Sequence, residues 1–222
     1  MTKPTHPALA FESVSLGPLR SPATPLNLAL WPGQWALWVE TDPLLAETYR
    51  DLALGVNSPA WGQILWFGSP KPQANDIWGT AAFQRRLGYI PNKGRLISGL
   101  TLIENLALGY EYCLGFDHDR AFKDSQKWLD KLELTKETYT LAENLNPTLY
   151  PMALLALNLA KNPDLFLLER PRLKFGGSFP LALEVLKTEH KARNLAIIIF
   201  ERDESLFKRE KPPSSDLIIV RA

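Results

Sequence analysis

The sequence is short of the residues that most often carry chemistry or cross-links. One cysteine, Cys113, in 222 residues excludes an internal disulfide. The three histidines, His6, His118 and His190, are scattered without metal-ligand spacing, and no G-x-S-x-G elbow is present. Cys113 has no His partner in view, so an enzyme built on a metal or an activated nucleophile is disfavoured. Apolar runs are short, Ala196 to Phe200 being typical, against the roughly 20 residues a membrane-spanning helix needs. The opening MTKPTHPALAFES lacks the unbroken apolar core of a signal peptide. Nor is one sign of charge in excess: 25 Lys plus Arg face 24 Asp plus Glu, so no net field draws the chain to nucleic acid or anionic lipid. A cytoplasmic location is expected, with any membrane association running through a partner or the surface.

What is present suits one folded unit over residues 1–222. The hydrophobic fraction, 45%, can fill a sizeable core. Ala10 to Leu16 and Leu26 to Leu30 read as short strands flanking GPLRSPATP, a small antiparallel start, and WPGQ makes a tight turn after the second. Trp35 to Val39 is an apolar run of strand length, followed by ETDP and by LLAETYRDLALG, whose spacing predicts a helix ended at Gly55. QILWFG and RLGYIP are further strand candidates. From Thr101 to about Leu145 the pattern is mostly helical, clearest in LTLIENLALGYEY and AFKDSQKWLDKLEL. Helix Pro151 to Lys161 then leads to buried strand Leu165 to Leu168, and helix LALEVLKTEHKA to strand Leu195 to Phe200, with LIIV last. Helix followed by buried strand, twice over, predicts an α/β layered domain with a parallel core sheet.

This order, with particular residues at particular places, resembles the ATPase of ABC transporters over nearly the whole chain. Pro32 to Gln34 is similar to the family's PGE turn before the phosphate-loop strand. LALGVNSPAWGQILWFG, RRLGYIPN, LISGLTLIENLALG and NLAKNPDLFLLERP resemble four further family segments, in the family's order. The resemblance implies an ABC-type P-loop NTPase-like α/β fold: a mostly parallel core sheet, an N-terminal antiparallel β subdomain and a helical subdomain over approximately 95–160. LISGLTLIENLAL also resembles, weakly, the ATPases of lipid transporters that work with MCE-domain proteins.

Against that scaffold the nucleotide residues are replaced. The phosphate loop of such ATPases needs glycines whose N–H groups cradle phosphate, a Lys, and a Ser or Thr on Mg²⁺. The matching segment, Glu40 to Thr48, has no glycine; Ala46 falls at the Lys position and Glu47 at the hydroxyl position, and Pro43 removes a donor. Thr48 reads as a helix-facing hydroxyl. Each carboxylate about 4 Å from a phosphate charge costs roughly 1 kcal/mol in water and about 4 at an effective dielectric of 20. The glycine-containing signature aligns with Leu145-Asn146-Pro147-Thr148-Leu149, where Asn146 and Pro147 read as a cap for the following helix. Glu169 stands at the Mg²⁺-binding Asp and Arg170 at the catalytic Glu; Arg stays protonated and cannot act as a base. Glu169 beside Arg170 reads as a local ion pair. The switch histidine aligns with Arg202, read as a solvated or salt-bridged strand end. The loop that carries an Asp in the family reads RLKFGGSF, and no adenine-stacking aromatic stands near Leu16 and Gly17.

The resemblance thus implies a pseudo-ATPase with no cofactor, no metal and no catalytic residue. In the family two domains pair head to tail and dock a membrane permease. This chain is expected to pair with an intact ATPase or with itself, at the inner face of the cell membrane, and to contact integral membrane permease subunits near Asn92, Arg95, Leu96 and Ile97. A core role for Leu96 and Ile97 is an equal alternative. A soluble scaffold without a transporter, a residual weak ATPase and an unrelated enzyme on the same scaffold are the other readings.

Overall fold

The computed structural model describes residues 5–16, 25–40, 42–72, 76–91, 96–202 and 217–221. Strands β1 (Leu9–Ser15), β2 (Leu26–Leu30) and β4 (Trp61–Trp66) form an antiparallel sheet in the order β2-β1-β4. The second sheet runs β5 (Leu87–Ile90), β6 (Leu165–Glu169), β7 (Ala196–Glu201), β3 (Trp35–Val39) and β8 (Leu217–Arg221), every neighbouring pair parallel. β3 and β6 are buried at all five positions, as continuous apolar runs covered on both faces should be.

The period-two alternation of strand side chains divides the core. Trp35, Leu37, Phe166, Leu168, Ile197 and Ile199 face one way, onto α3 (Leu102–Leu114), α5 (Tyr150–Ala160) and α7 (Phe179–Arg193). Ala36, Trp38, Leu165, Leu167, Ile198 and Phe200 face the other, onto α1 (Pro43–Ala53) and the antiparallel sheet. On that second face Trp38 lies 4.9 Å from Tyr49 of α1, 5.5 Å from Phe200 and 6.0 Å from Phe11, ring centroid to centroid. Four rings from β1, β3, α1 and β7 therefore fix where α1 starts; aromatic pairs add about 0.5–1.5 kcal/mol each beyond their buried area.

α3 opens with the reciprocal cap that T-x-x-E encodes. Thr101 Oγ1 accepts from Glu104 N, the Glu104 carboxylate accepts from Thr101 N at 2.7 Å, and Gly115 in the left-handed conformation ends the helix. α4 (His118–Lys131) packs on α3. Beyond Lys131 the expected helix gives way to two short 3₁₀ turns, Thr135–Glu137 and Ala142–Asn144, because residues 138–142 hydrogen-bond to the segment entering α3 instead: Ile103 N donates to Thr138 O, Leu102 N to Thr140 O and Ala142 N to Leu100 O. Two helices were not foreseen. α2 (Ile77–Arg86) buries Phe83, and α6 (Pro171–Phe175) is five residues long. Neither is long or periodic enough to show in a sequence pattern.

Candidate functional site

At the carboxyl ends of β3 and β6 the chain's own charged side chains gather around the start of α1. α1 begins at Pro43, and the Asp42 carboxylate accepts from Leu44 N at 2.9 Å and Leu45 N at 3.4 Å. A helix amino terminus is a ready anion site because its first N–H groups are unpaired and its dipole is positive. Here a side chain of the chain itself is the anion. Ala46 is buried, with its N–H bonded back to Asp42 O, and Thr48 Oγ1 donates to Leu44 O at 2.8 Å, the helix-facing arrangement expected of it. Glu47 is largely exposed and pairs with Arg50 one turn on, at 3.1 Å.

Two chains of charge cross the site. The Arg170 guanidinium reaches Glu40 through Nε at 3.2 Å and Nη2 at 2.8 Å, tying the end of β6 to the end of β3. Arg170 sits in the left-handed region at φ 44° and donates its own N–H to Phe200 O. The second chain centres on buried Glu169. Arg50 Nη1 donates to its Oε1 at 3.0 Å, the Tyr89 hydroxyl approaches Oε2 at 3.4 Å, and Lys174 Nζ lies 3.6 Å from the same oxygen. Lys174 also donates to Ile90 O. The local Glu169–Arg170 ion pair expected from sequence gives way to Glu40, just past β3, for Arg170 and to Arg50 of α1 and Lys174 of α6 for Glu169, because consecutive residues at a strand end point to opposite sides. A cavity of about 400 Å³ remains, lined among others by Glu40, Ala46, Glu47, Arg50, Glu169 and Arg170.

Burial and charge shift these groups in a consistent way. Hydrogen bonding to Glu40 is the main cause holding the Arg170 guanidinium above its ordinary pKa. Burial opposes the charge on Arg50, but Asp51, Tyr89, Glu169 and Glu47 together outweigh it and push its pKa up. Burial, then the negative charge of Glu169, pushes the Tyr89 phenol up to about 12. Burial is also the main cause that lowers Lys174 to about 8, with Glu169 only partly offsetting it. Of these residues, Arg50 and Tyr89 carried no sequence signal for Glu169, which lies 119 and 80 positions away, and Lys174, only five positions past Glu169, was not singled out.

The other predicted positions fall elsewhere. Arg202 is exposed just past β7, matching the solvated reading. Asn146 does not cap α5: its Oδ1 accepts from Thr148 N at 3.0 Å and from Thr148 Oγ1 at 2.9 Å, closing a turn ahead of the helix, whose cap residue Leu149 makes no side-chain cap bond. An Asn side chain satisfies its own downstream backbone more cheaply than a helix start four residues away. Leu96 and Ile97 divide between the two roles weighed for them, Leu96 being 7% and Ile97 55% exposed. Asn92 and Arg95 lie outside the described residues. Beside Leu96 a larger cavity, about 710 Å³, runs between Ile90 and Pro91, the 142–147 segment, and Tyr150 and Leu154 of α5, with Lys174 in its wall. Among the described residues no group of three or more His, Cys, Asp or Glu could hold a metal, and no helix is long and apolar enough to cross a membrane.

No protein-family profile matches the chain. A stretch of 78 residues is 32% identical to the xylose import ATP-binding protein XylG of Geobacillus kaustophilus, a match over 34% of this chain and 16% of that protein. Similarity of shape is far broader. The chain is similar to cbiO1 from Clostridium perfringens, part of the ABC transporter complex cbiONQ, with TM-score 0.74 and 15% identity over 89% of this chain and 79% of that one. It is equally similar to the dimeric post-hydrolysis state of an ATP-binding cassette bound to ADP and Pi, with TM-score 0.74 and 15% identity over 96% of this chain and 94% of that one. An ATP-binding subunit of another ABC transporter gives TM-score 0.77 at 16% identity, over 97% and 88%. With its parallel five-stranded sheet, its antiparallel three-stranded sheet and its helices matched across this set, the chain has the fold of ABC transporter ATP-binding subunits.

Proposed function

We propose that the chain is a non-catalytic subunit of an ABC transporter complex, with the cassette fold kept and the ATP site given over to internal contacts. One observation carries this reading: the amino terminus of α1 is capped by Asp42, so the N–H groups of Leu44 and Leu45 are already bonded to a carboxylate. A phosphate entering there would displace that carboxylate and meet its charge, with Ala46 at the Lys position. The replaced residues elsewhere support the same reading. Arg170 is bonded to Glu40 and cannot accept a proton from water, and Glu169 is engaged by Arg50 and Lys174.

The contribution left to such a subunit is shape and contacts. Like the dimeric cassettes it resembles, it would pair with an ATPase or with a second copy, and like cbiO1 it would work beside other subunits of a transporter. Exposed Ile97, next to the segment carrying Asn92 and Arg95, is the permease-facing position in this reading. The same reading carries a cytoplasmic location, at the inner membrane face through its partners. The cargo class we assign, lipid, rests on the LISGLTLIENLAL segment alone. The test is purification from its native membrane with mild detergent. Co-purification of an integral membrane protein, with steady-state ATP hydrolysis by the isolated chain no higher than by its R170A variant, is expected. Hydrolysis that is lost in an R170A variant still folded by circular dichroism would overturn the non-catalytic reading, and a chain that purifies alone would overturn the complex.

A further inference from the structure

The 710 Å³ cavity is separate from the nucleotide position and has the makings of a ligand site. Its size falls within the roughly 300–1,000 Å³ of small-molecule pockets. Its walls are mainly apolar, with Ile90, Leu96, Leu145 and Leu154 among them, and among the described lining residues two are charged, Lys174 and Glu143.

The cation is under-compensated. Lys174 has its side chain 10% exposed, and its ammonium, with three N–H donors, bonds Ile90 O and pairs at 3.6 Å with Glu169. Glu169 is shared with Arg50, which stands closer, at 3.0 Å. One carboxylate thus serves two cations, and the farther one lies in the wall of an apolar cavity. Burial lowers the Lys174 pKa to about 8, the response of an amine whose charge is poorly matched. Tyr150 also lines the cavity, and its hydroxyl accepts from Leu96 N at 2.7 Å and keeps its own proton to donate. Glu143 sets the opposite condition: a second anionic group on the ligand would be repelled.

We propose that this cavity binds an amphiphilic monocarboxylate, its head group on Lys174 and Tyr150 and its hydrocarbon against Leu96, Leu145 and Leu154. The carboxylate supplies the missing counter-charge, and the apolar walls supply the burial. Because Leu96 and Ile97 are consecutive, occupancy would be felt at the exposed surface beside it.

Dodecanoate, kept below its micelle concentration, is the probe, titrated calorimetrically into the full chain beside dodecylammonium as the charge-reversed control. Saturable one-to-one binding of dodecanoate is expected, with dodecylammonium at least about tenfold weaker. K174M should weaken dodecanoate by roughly tenfold or more, K174R should hold it within a few fold, and L154W, which fills the cavity, should remove it. Circular dichroism melts report whether each variant is folded. No saturable binding to the wild-type chain, equal binding of both amphiphiles, or binding that folded K174R loses and folded L154W keeps would overturn the proposal.

Discussion

Arg170 and Glu40 meet at 2.8 Å across the carboxyl edge of the parallel sheet, 130 positions apart in sequence, with the Glu40 side chain 5% exposed. The pair ties the residue after β6 to the residue after β3, so the two strand ends are held by a charge contact as well as by the ladder.

Truncating Arg170 should therefore cost far more than a surface substitution. R170A leaves a buried carboxylate without its cation, and breaking such a pair costs about 3–5 kcal/mol. Urea unfolding followed by tryptophan fluorescence should show that loss, and E40Q/R170Q should recover most of it, because the amide pair has no charge to bury.

Asp42→Ala should weaken α1 by about 1 kcal/mol, the usual cost of an N-cap. The same urea curves measure it. No loss would mean that the two N–H groups find water as good a partner as the carboxylate.

Lys174 makes stability depend on pH in an unusual direction. Its folded pKa, about 8, lies below the 10.5 of the free side chain. Between pH 8 and 10.5 the unfolded chain holds a proton that the folded chain has released, so stability from this group rises with pH across that window. Below pH 8 both states are protonated and the burial penalty is fully present. Relative to K174M, the wild-type chain should gain on the order of 1–3 kcal/mol from pH 7.5 to 10 in parallel urea melts.

Gly88 allows β5 to lie against β6. A Cβ there would stand 2.4 Å from Phe166 Cδ2, with the two residues directly paired in register. G88A should cost about 1–3 kcal/mol by overpacking and displace neighbouring Tyr89 from Glu169. Unfolding curves and the titration of the Tyr89 phenol check both parts.

Much of this was legible in the sequence where physics is local. Trp35 to Val39 and Leu26 to Leu30 form strands over the predicted spans, since an uninterrupted or alternating apolar run bounded by Pro, Gly or acidic residues leaves little choice. The helix Pro151 to Lys161 is displaced by a single residue. The capping box at Thr101 is written in T-x-x-E. What was not legible depends on distant neighbours. Glu169 and Arg170 are adjacent in sequence, yet Arg50 and Glu40 are partners that only the tertiary fold brings to them, and Lys174 reaches Glu169 through the unforeseen turn of α6. The end of the helical run was misread for the same reason: residues 138–142 have ordinary composition and take their conformation from the strand-like contact with Leu100 to Ile103. α2 was not foreseen because IWGTAAFQRR mixes small, polar and apolar residues without a helical apolar period.

The most direct measurement of the central claim is an equilibrium titration of the purified chain with Mg-ATP, by calorimetry or a fluorescent analogue. No saturable binding up to about 1 mM is expected, an affinity weaker than about −4 kcal/mol. A dissociation constant in the micromolar range, weakened by changes at Glu40, Ala46 or Arg170, would contradict it.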